Sequence, residues 1–265
     1  MPGNTVTTTA VLTGAGSGTR LGAAVPKALV PINGVPMVRI AAHNLLASGI
    51  VDQLIVTVPA GYTSEFTEAL RTPVLQRPDF QGANFQDANF QDAKLPDAPT
   101  TRKPPNLTLV TGGETRQQSI AKALQHVNPN CTKVLVHDAA RPFTPPNLIA
   151  AVAAAVTNKV KAAIPAQPVT DTIKQTEGSS VMKTLDRSSL VSVQTPQGFD
   201  RETLETAYRH AIEHQIEGTD DASLVEALGI PVIVIPGHAA AMKITTPTDL
   251  QIASILFDHR RRKSP

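Results

Sequence analysis

The sequence predicts an α/β fold, in which helices cover both faces of a mainly parallel sheet and a β-hairpin arm projects from it. Three observations support this prediction. Short apolar runs rich in β-branched residues alternate with longer helix-like segments, a glycine-rich turn follows the first of these runs, and a segment of alternating polarity at 168–193 interrupts the rhythm. Strands that alternate with helices are typical of a parallel sheet.

The predicted elements follow in order along the chain. Strands are expected at 6–13, 53–59, 107–112, 133–139, 162–166 and 231–237. Helices are expected at about 36–48, 63–71, 115–127, 145–157, 200–215, 220–228 and 247–260. Pro145–Pro146 ahead of an alanine-rich run, and Thr248–Asp249 ahead of "LQIASILF", are predicted helix starts. Residues 1–265 are therefore predicted to form a single domain.

Composition excludes several classes of protein. The 265 residues, 41% hydrophobic and 17% charged, are enough for a large core and unlike a disordered chain. The only cysteine, Cys131, has no partner for an internal disulfide, which favours a reducing, cytoplasmic setting. The N-terminus lacks a secretory pattern, and the longest purely apolar run, "LIAAVAAAV" at 148–156, is too short to cross a bilayer. With a net charge of +2, no Trp and two Tyr, neither a membrane nor a nucleic-acid partner is expected.

A pentapeptide-like segment at 73–106 interrupts the strand and helix pattern. Ala83, Ala88, Ala93 and Ala98 recur every five residues, and Phe80, Phe85, Phe90 and Leu95 follow the same period. Stacked repeats need several neighbours to bury a core, and this segment has barely four units among many prolines. It is predicted to be a surface insertion, although its phenylalanines leave local packing or contact with a partner open.

The segment at 168–193 predicts the hairpin arm. The alternating strings "TDTIKQT" and "VMKTLDR" flank the turn-rich sequence Glu177-Gly178-Ser179-Ser180. Because a two-stranded hairpin is marginally stable alone in water, it is expected to pack on something else. A second copy of the chain is the simplest candidate, so 168–193 is predicted to be a dimerisation arm.

The glycine-rich turn lies in "LTGAGSGTRLGAAVPKALVPINGVPM", at 12–37, and contains Gly14, Gly16 and Gly18. A dinucleotide fingerprint would need a third glycine where the chain has Thr19 or Leu21, and a Walker loop would end in Gly-Lys-Ser/Thr where the chain has Gly18-Thr19-Arg20. The glycines still allow main-chain N–H groups to surround an anion, and Arg20 and Lys27 add two cations. A polyphosphate cradle is predicted; a tight packing turn with two solvated cations is the alternative.

Further polar groups follow other predicted strands, where ligands of open α/β sheets bind. Asp138 ends "VLVHDAARPF" and could hold Mg²⁺ between phosphate oxygens, or could cap a helix or pair with Arg141. In "TGGETRQQS", Gly113 and Ser119 flank a turn whose main chain could read a base edge, or which could be an ordinary connection. Lys243 lies in "MKITTPTDL", where it needs an anionic partner.

Seven strings together resemble the 2-C-methyl-D-erythritol 4-phosphate cytidylyltransferase family of the non-mevalonate isoprenoid pathway. They are "GAGSGTRLGAAVPKALVPINGVPM", "GGETRQQS", "VHDAARPF", "PVTDTIK", "LDRSSLVSVQTPQGF", "TDDASLVE" and "MKITTPTDL", in the family's order and roughly its spacing. The resemblance implies a nucleotide-binding, Rossmann-like α/β fold with a hairpin arm exchanged in a homodimer. It also implies the reaction of CTP with methylerythritol phosphate to CDP-methylerythritol and pyrophosphate.

The same resemblance implies three groups of site residues. The CTP group is Ala15, Gly16, Ser17, Gly18, Gly113, Glu114 through its main chain, and Ser119. The catalytic group is Arg20, Lys27, Asp138 and Lys243, with Asp138 also holding Mg²⁺ or another divalent cation. The polyol phosphate group is Asp138, Arg141, Thr172, Arg187, Thr195 and Lys243, with Thr172 and Arg187 reaching in from a second subunit.

Two other functions remain open from the sequence. The sister ribitol-5-phosphate cytidylyltransferases share the phosphate loop and the late lysine, although "HDAAR" and "TDDAS" favour methylerythritol phosphate. A non-catalytic nucleotide sensor is disfavoured, because the charged groups that catalysis needs are all present, namely Arg20, Lys27, Asp138, Arg187 and Lys243.

Overall fold

The structure is a computed structural model that describes residues 7–16, 21, 25–70 and 106–263, with side chains described through residue 259. Ser17, Gly18 and Arg20 lie outside the described residues. So does nearly all of the insertion predicted at 73–106.

Seven helices and twelve strands occupy the described parts of the chain. The helices are α1 (Met37–Ala47), α2 (Thr63–Leu70), α3 (Arg116–Leu124), α4 (Pro146–Ala155), α5 (Arg201–Glu213), α6 (Asp221–Glu226) and α7 (Pro247–Lys263). The strands are β1 (Thr7–Thr13), β2 (Pro31–Ile32), β3 (Val35–Pro36), β4 (Gln53–Val58), β5 (Asn106–Thr111), β6 (Cys131–Asp138), β7 (Ala162–Pro168), β8 (Lys174–Glu177), β9 (Ser180–Thr184), β10 (Val191–Val193), β11 (Gln197–Asp200) and β12 (Val232–Pro236).

Eight strands form the central sheet, seven of them in the order β10-β7-β11-β6-β1-β4-β5, and the eighth, β12, pairs with β7. Strands β5, β4, β1 and β6 run parallel, as do β7 and β12, whereas β11 and β10 run antiparallel to their neighbours. The register pairs Thr13 at the end of β1 with Asp138 at the end of β6. Because parallel strands end at one edge of a sheet, the loops that follow β1, β4, β5 and β6 meet there.

Both faces of the sheet are covered, as the sequence predicts. Ala10 and Leu12 of β1 pack in a cluster with side chains of α1, α2 and α4, whereas Val11 between them packs with α3, α5 and α6. Alternate residues of a strand point to opposite faces, so a continuous apolar run in a buried strand serves two helical layers. A third cluster joins Phe143 and Ile244 to Phe257 of α7.

All six strands predicted from apolar runs are present, with ends that differ by at most two residues, and all seven predicted helices are present. Strand β11 was not predicted. Its four residues are too short for a visible pattern, and it runs antiparallel between β6 and β7. The sheet is therefore mainly parallel but mixed.

The predicted hairpin is confirmed at 174–184, whereas residues 191–193, which the sequence placed in the arm, form β10 of the central sheet. Strands β8 and β9 pair only with each other in a separate two-stranded sheet, and Gly178 in the turn has a φ of +57°. Val181 and Met182 are 60% and 61% exposed, so apolar side chains of the arm face solvent in the single chain. Among the described residues no helix combines the length and the apolarity that crossing a bilayer requires.

Candidate active site

The glycine-rich turn folds against the loop that follows β5. The Gly14 N–H donates to the Thr57 carbonyl oxygen (3.0 Å), and a Cβ on Gly14 would lie 2.7 Å from that oxygen, so no larger residue fits there. A Cβ on Gly112 would lie 2.8 Å from the Cβ of Ala15. The two loops therefore touch at the carboxyl edge of the sheet, where one ligand could contact both.

Lys27 lies at the start of a 3-10 turn spanning Lys27–Leu29. Its main-chain N–H donates to the Gly16 carbonyl oxygen (3.3 Å). The chain thus returns to the glycine turn after leaving it, and a lysine that is distant in sequence from Gly14 comes back to the same loop.

The loop after β5 is held by its own side chains. The Ser119 hydroxyl accepts from the Gly113 N–H (3.0 Å) and donates to the Thr115 carbonyl oxygen (2.8 Å), and the Thr115 side chain caps α3. The Glu114 N–H donates to Oε1 of Gln118 (2.9 Å). Ser119 is buried whereas Glu114 is exposed, so Ser119 shapes the loop and the Glu114 carboxylate faces solvent.

Asp138 lies buried at the end of β6 between two cations. Its Oδ1 is 3.2 Å from Nε of Arg116 and accepts from the Thr13 hydroxyl (3.3 Å), and its Oδ2 is 2.8 Å from Nζ of Lys243. Burial alone raises the pKa of Asp138, but the charges of Arg116, Lys243 and Arg141 outweigh it and hold that pKa well below its usual range. Asp138 is therefore a carboxylate at any physiological pH.

Arg116 joins Asp138 to a second buried carboxylate. Its Nη2 lies 2.7 Å from Oδ2 of Asp221, which is fully buried, and the Tyr208 hydroxyl donates to Oδ1 of Asp221 (2.5 Å). Burial lowers the pKa of Arg116, but Asp221 and Asp138 raise it further than burial lowers it. Sequence reasoning missed Arg116, Asp221 and Tyr208, although Arg116 and Asp221 lie within "GGETRQQS" and "TDDASLVE".

Arg141 fixes the segment that carries Lys243. Its Nη1 donates to the Ala241 carbonyl oxygen (2.7 Å) and its Nη2 to that of Val193 (3.1 Å), while the Ile244 N–H donates to the Ala140 carbonyl oxygen (2.8 Å). Burial lowers the pKa of Arg141, and the charge of Asp138 opposes that shift. These bonds attach the loop after β6 to the chain around Lys243, which explains why Lys243 reaches Asp138.

Thr195, which lies between β10 and β11, supports the end of β6. Its hydroxyl oxygen accepts from the Asp138 N–H (3.1 Å) and lies 2.8 Å from Nδ1 of His137. Burial lowers the pKa of His137 to about 4, against the attraction of Asp138, so the imidazole is neutral at neutral pH.

Thr172 and Arg187 lie at the base of the arm and are exposed. Nη1 of Arg187 donates to the Thr170 carbonyl oxygen (2.6 Å). The structure therefore brings Asp138, Lys243, Thr195 and Arg141 together in one chain, and leaves the two arm residues on a separate, projecting element.

Comparison with known proteins identifies the family of the chain. The family model for 2-C-methyl-D-erythritol 4-phosphate cytidylyltransferase matches residues 87–259, and that for the MobA-like NTP transferase domain matches residues 10–86. The 2-C-methyl-D-erythritol 4-phosphate cytidylyltransferase of Streptomyces avermitilis is 38% identical over 261 residues, which cover 96% of this chain and 93% of that protein. The protein of the same name from Nocardia farcinica is 39% identical over 254 residues, covering 95% and 94%.

Solved structures give the same result. The crystal structure of 2-C-methyl-D-erythritol 4-phosphate cytidylyltransferase from Thermus thermophilus matches with a TM-score of 0.67 and 32% identity, covering 93% of this chain and 97% of that one. The 4-diphosphocytidyl-2C-methyl-D-erythritol synthase of Anaerococcus prevotii matches in fold with a TM-score of 0.73 at 23% identity, covering 96% and 99%. The chain belongs to the 2-C-methyl-D-erythritol 4-phosphate cytidylyltransferase family.

Proposed function

We propose that the protein transfers CMP from CTP to 2-C-methyl-D-erythritol 4-phosphate, giving CDP-methylerythritol and pyrophosphate in the non-mevalonate isoprenoid pathway. The observation that carries this proposal is the buried Asp138 carboxylate between Lys243 and Arg116, beside the glycine-rich turn, in a member of this family. Its single buried cysteine, Cys131, is in keeping with a cytoplasmic setting.

The chemistry needs no protein nucleophile. A phosphate oxygen of methylerythritol phosphate attacks the α-phosphorus of CTP in line, the bond from that phosphorus to the bridging oxygen of the β-phosphate breaks, and pyrophosphate leaves with the electron pair. Negative charge builds up on the oxygens around the α-phosphorus, so positioned cations lower the barrier. Lys27 and Arg20 are assigned this role; the return of the Lys27 main chain to Gly16 supports the assignment of Lys27.

CTP would lie across the two touching loops. Ala15, Gly16, Ser17 and Gly18 would surround the triphosphate, and Gly113, Glu114 and Ser119 would border cytosine and ribose. The close approach of Gly112 to Ala15 supports a single ligand that spans both loops. Because Ser119 already bonds within its loop, its contribution would be to present main-chain groups rather than its hydroxyl.

Methylerythritol phosphate would lie on the other side of Asp138. Lys243 and Thr195 would contact it from the same chain, and Arg141 would act there by holding the Lys243 segment in place. A second copy of the chain would supply Thr172 and Arg187 through the exchanged arm. Exposed apolar side chains on that arm support its burial in a homodimer.

Magnesium fits the oxygen donors at Asp138. Oδ1 accepts from Thr13 and Arg116 and Oδ2 from Lys243, and since a carboxylate offers about four acceptor positions, one remains for a cation. Within the described parts of the chain no three acidic, His or Cys side chains cluster as a metal cage. One carboxylate together with substrate phosphates is a common way to bind Mg²⁺. Asp138 would hold the ion, which would neutralise triphosphate charge.

Pyrophosphate release tests the proposal. The purified protein is given CTP and Mg²⁺ with methylerythritol phosphate or ribitol 5-phosphate in parallel, and the product is identified by mass. We expect pyrophosphate release with methylerythritol phosphate and none with ribitol 5-phosphate. Release only with ribitol 5-phosphate, or CTP binding with no turnover on either substrate, would contradict the proposal and favour the sister activity or a nucleotide sensor.

A further inference from the structure

The side chain of Arg116 is tied at two points. Nε lies 3.2 Å from Oδ1 of Asp138, and Nη2 lies 2.7 Å from Oδ2 of Asp221. The guanidinium group is planar and rigid, so bonds to two different carboxylates from two of its nitrogens fix both its position and its plane. Arg116 begins α3, directly after the loop that the proposed function assigns to cytidine.

The Asp221 end of this bridge is itself held firmly. Asp221 is fully buried, Tyr208 of α5 donates to its Oδ1, and its main-chain N–H donates to Oε1 of Gln197 (3.1 Å). Gln197 also donates through Nε2 to Asp220 (2.6 Å), which caps α6. Arg116 is therefore held through Asp221 by residues of three elements, α5, α6 and β11.

Lys243 differs from Arg116 in how it is held at Asp138. Its side chain is 43% exposed, against 32% for Arg116, and a lysine presents a single charged group on a flexible stem. The ion pair described for Lys243 is with Asp138 alone, whereas Arg116 has two carboxylate partners. When a substrate phosphate enters, Lys243 is the cation that can turn toward it while Arg116 keeps Asp138 in place.

We propose that Arg116 is a positioning residue for Asp138, held in turn by Asp221 and Tyr208. It keeps Oδ1 of Asp138 bound so that Oδ2 stays directed at Lys243. Arg116 acts through Asp138 and needs no contact with either substrate. This inference rests on the proposed cytidylyltransferase function of the same site.

Steady-state kinetics of three variants provide the first test. Arg116→Gln should lower kcat by about 10–100-fold, as for other residues that orient a ligating carboxylate, with the KM for CTP within about threefold of wild type. Arg116→Lys should recover part of the lost kcat, because the positive charge remains, although a lysine lacks the planar guanidinium that binds two carboxylates. Arg201→Gln is the matched control: Arg201 is similarly buried and ion-paired to Glu205, but it lies near Pro129 at the opposite end of β6. It should keep wild-type kcat.

A double-mutant cycle separates positioning from an independent role. In an Asp138→Asn background, Arg116→Gln should lower kcat by no more than about twofold, because the group through which it acts is already changed. If the two losses instead multiply, Arg116 acts on substrate or fold directly and the proposal is wrong. A rise in the KM for CTP as large as the fall in kcat would also overturn it.

Tyr208→Phe serves if Arg116→Gln fails to fold. It removes only the hydroxyl that holds Asp221, so kcat should fall by about 3–10-fold in the wild type and stay constant in the Asp138→Asn background. An unchanged kcat in the wild-type background would overturn the supporting role of Tyr208 and Asp221.

The failure of this inference can be told from the failure of the proposed function. Absence of a CDP product from the wild type with methylerythritol phosphate would contradict the function alone. Urea midpoints of Arg116→Lys, Asp138→Asn and the double variant then decide the positioning role. A non-additive shift in midpoint is expected if Arg116 holds Asp138, and strictly additive shifts would refute it.

Discussion

The Asp138 main-chain N–H donates to the hydroxyl oxygen of Thr195 at 3.1 Å, and so an antiparallel segment that follows β10 secures the end of a parallel strand. The same hydroxyl lies 2.8 Å from Nδ1 of His137, and both residues of the β6 end are buried. The proposed site therefore depends on Thr195 for its shape, in addition to the substrate contact proposed for this residue.

Replacing Thr195 should test that dependence. Thr195→Val keeps the shape but leaves the Asp138 N–H and His137 without a partner, which should lower the free energy of unfolding by about 1–3 kcal/mol. Thr195→Ser keeps the hydroxyl and should lose much less. Urea unfolding measured by circular dichroism compares the two; equal losses would mean that the methyl group, and not the hydroxyl, stabilises this position.

The buried imidazole of His137 should make stability depend on pH. Its pKa falls from the ordinary 6.5 to about 4 on folding, so between these values the unfolded chain binds more protons than the folded one. This contribution is complete above pH 6.5 and is lost as the pH falls toward 4, by up to about 3 kcal/mol. The free energy of unfolding of the wild type should therefore fall more steeply over this range than that of His137→Asn. If the wild type and His137→Asn lose stability equally over this pH range, His137 is not the source of the pH dependence.

Lys27 should matter for turnover more than for folding. Lys27→Ala should lower kcat by about 10²–10³-fold, because it removes one positioned cation from the charge that builds up at the α-phosphorus. Its urea midpoint should stay close to that of the wild type. Lys159→Ala is the control, since Lys159 is an exposed lysine in the turn before β7, and it should keep full activity. Unchanged turnover in Lys27→Ala would remove this residue from the mechanism.

Mixed dimers should report whether the arm completes a second subunit's site. Arg187→Ala should chiefly raise the KM for the polyol phosphate. Mixing it with inactive Lys27→Ala should restore about one quarter of wild-type activity when the subunits exchange at random, because each hybrid dimer then contains one intact site. Native mass spectrometry verifies the exchange. Hybrids that form without any recovery would show that Arg187 does not complete the site of the partner subunit.

Local sequence patterns were enough to predict most strands of the sheet. The run that forms β1 is apolar at consecutive positions because Leu12 and Val11 pack against opposite helical layers. This pattern spans only a few residues, so it is visible in the sequence. The arm was likewise visible in the alternation around Gly178. Strand β11 was not, because four residues carry no period and its place depends on the neighbours β6 and β7.

The sequence by itself determined the layered sheet, the glycine turn and the presence of an aspartate at the end of β6. Only the tertiary structure decided that Asp138 is shared between Lys243 and Arg116, and that Arg116 continues to Asp221, 105 positions further along the chain. It also decided that Arg141, expected near the substrate, uses its guanidinium on two main-chain carbonyl groups. Strand order and helix packing set which distant charges meet, and those depend on the whole core rather than on any local pattern.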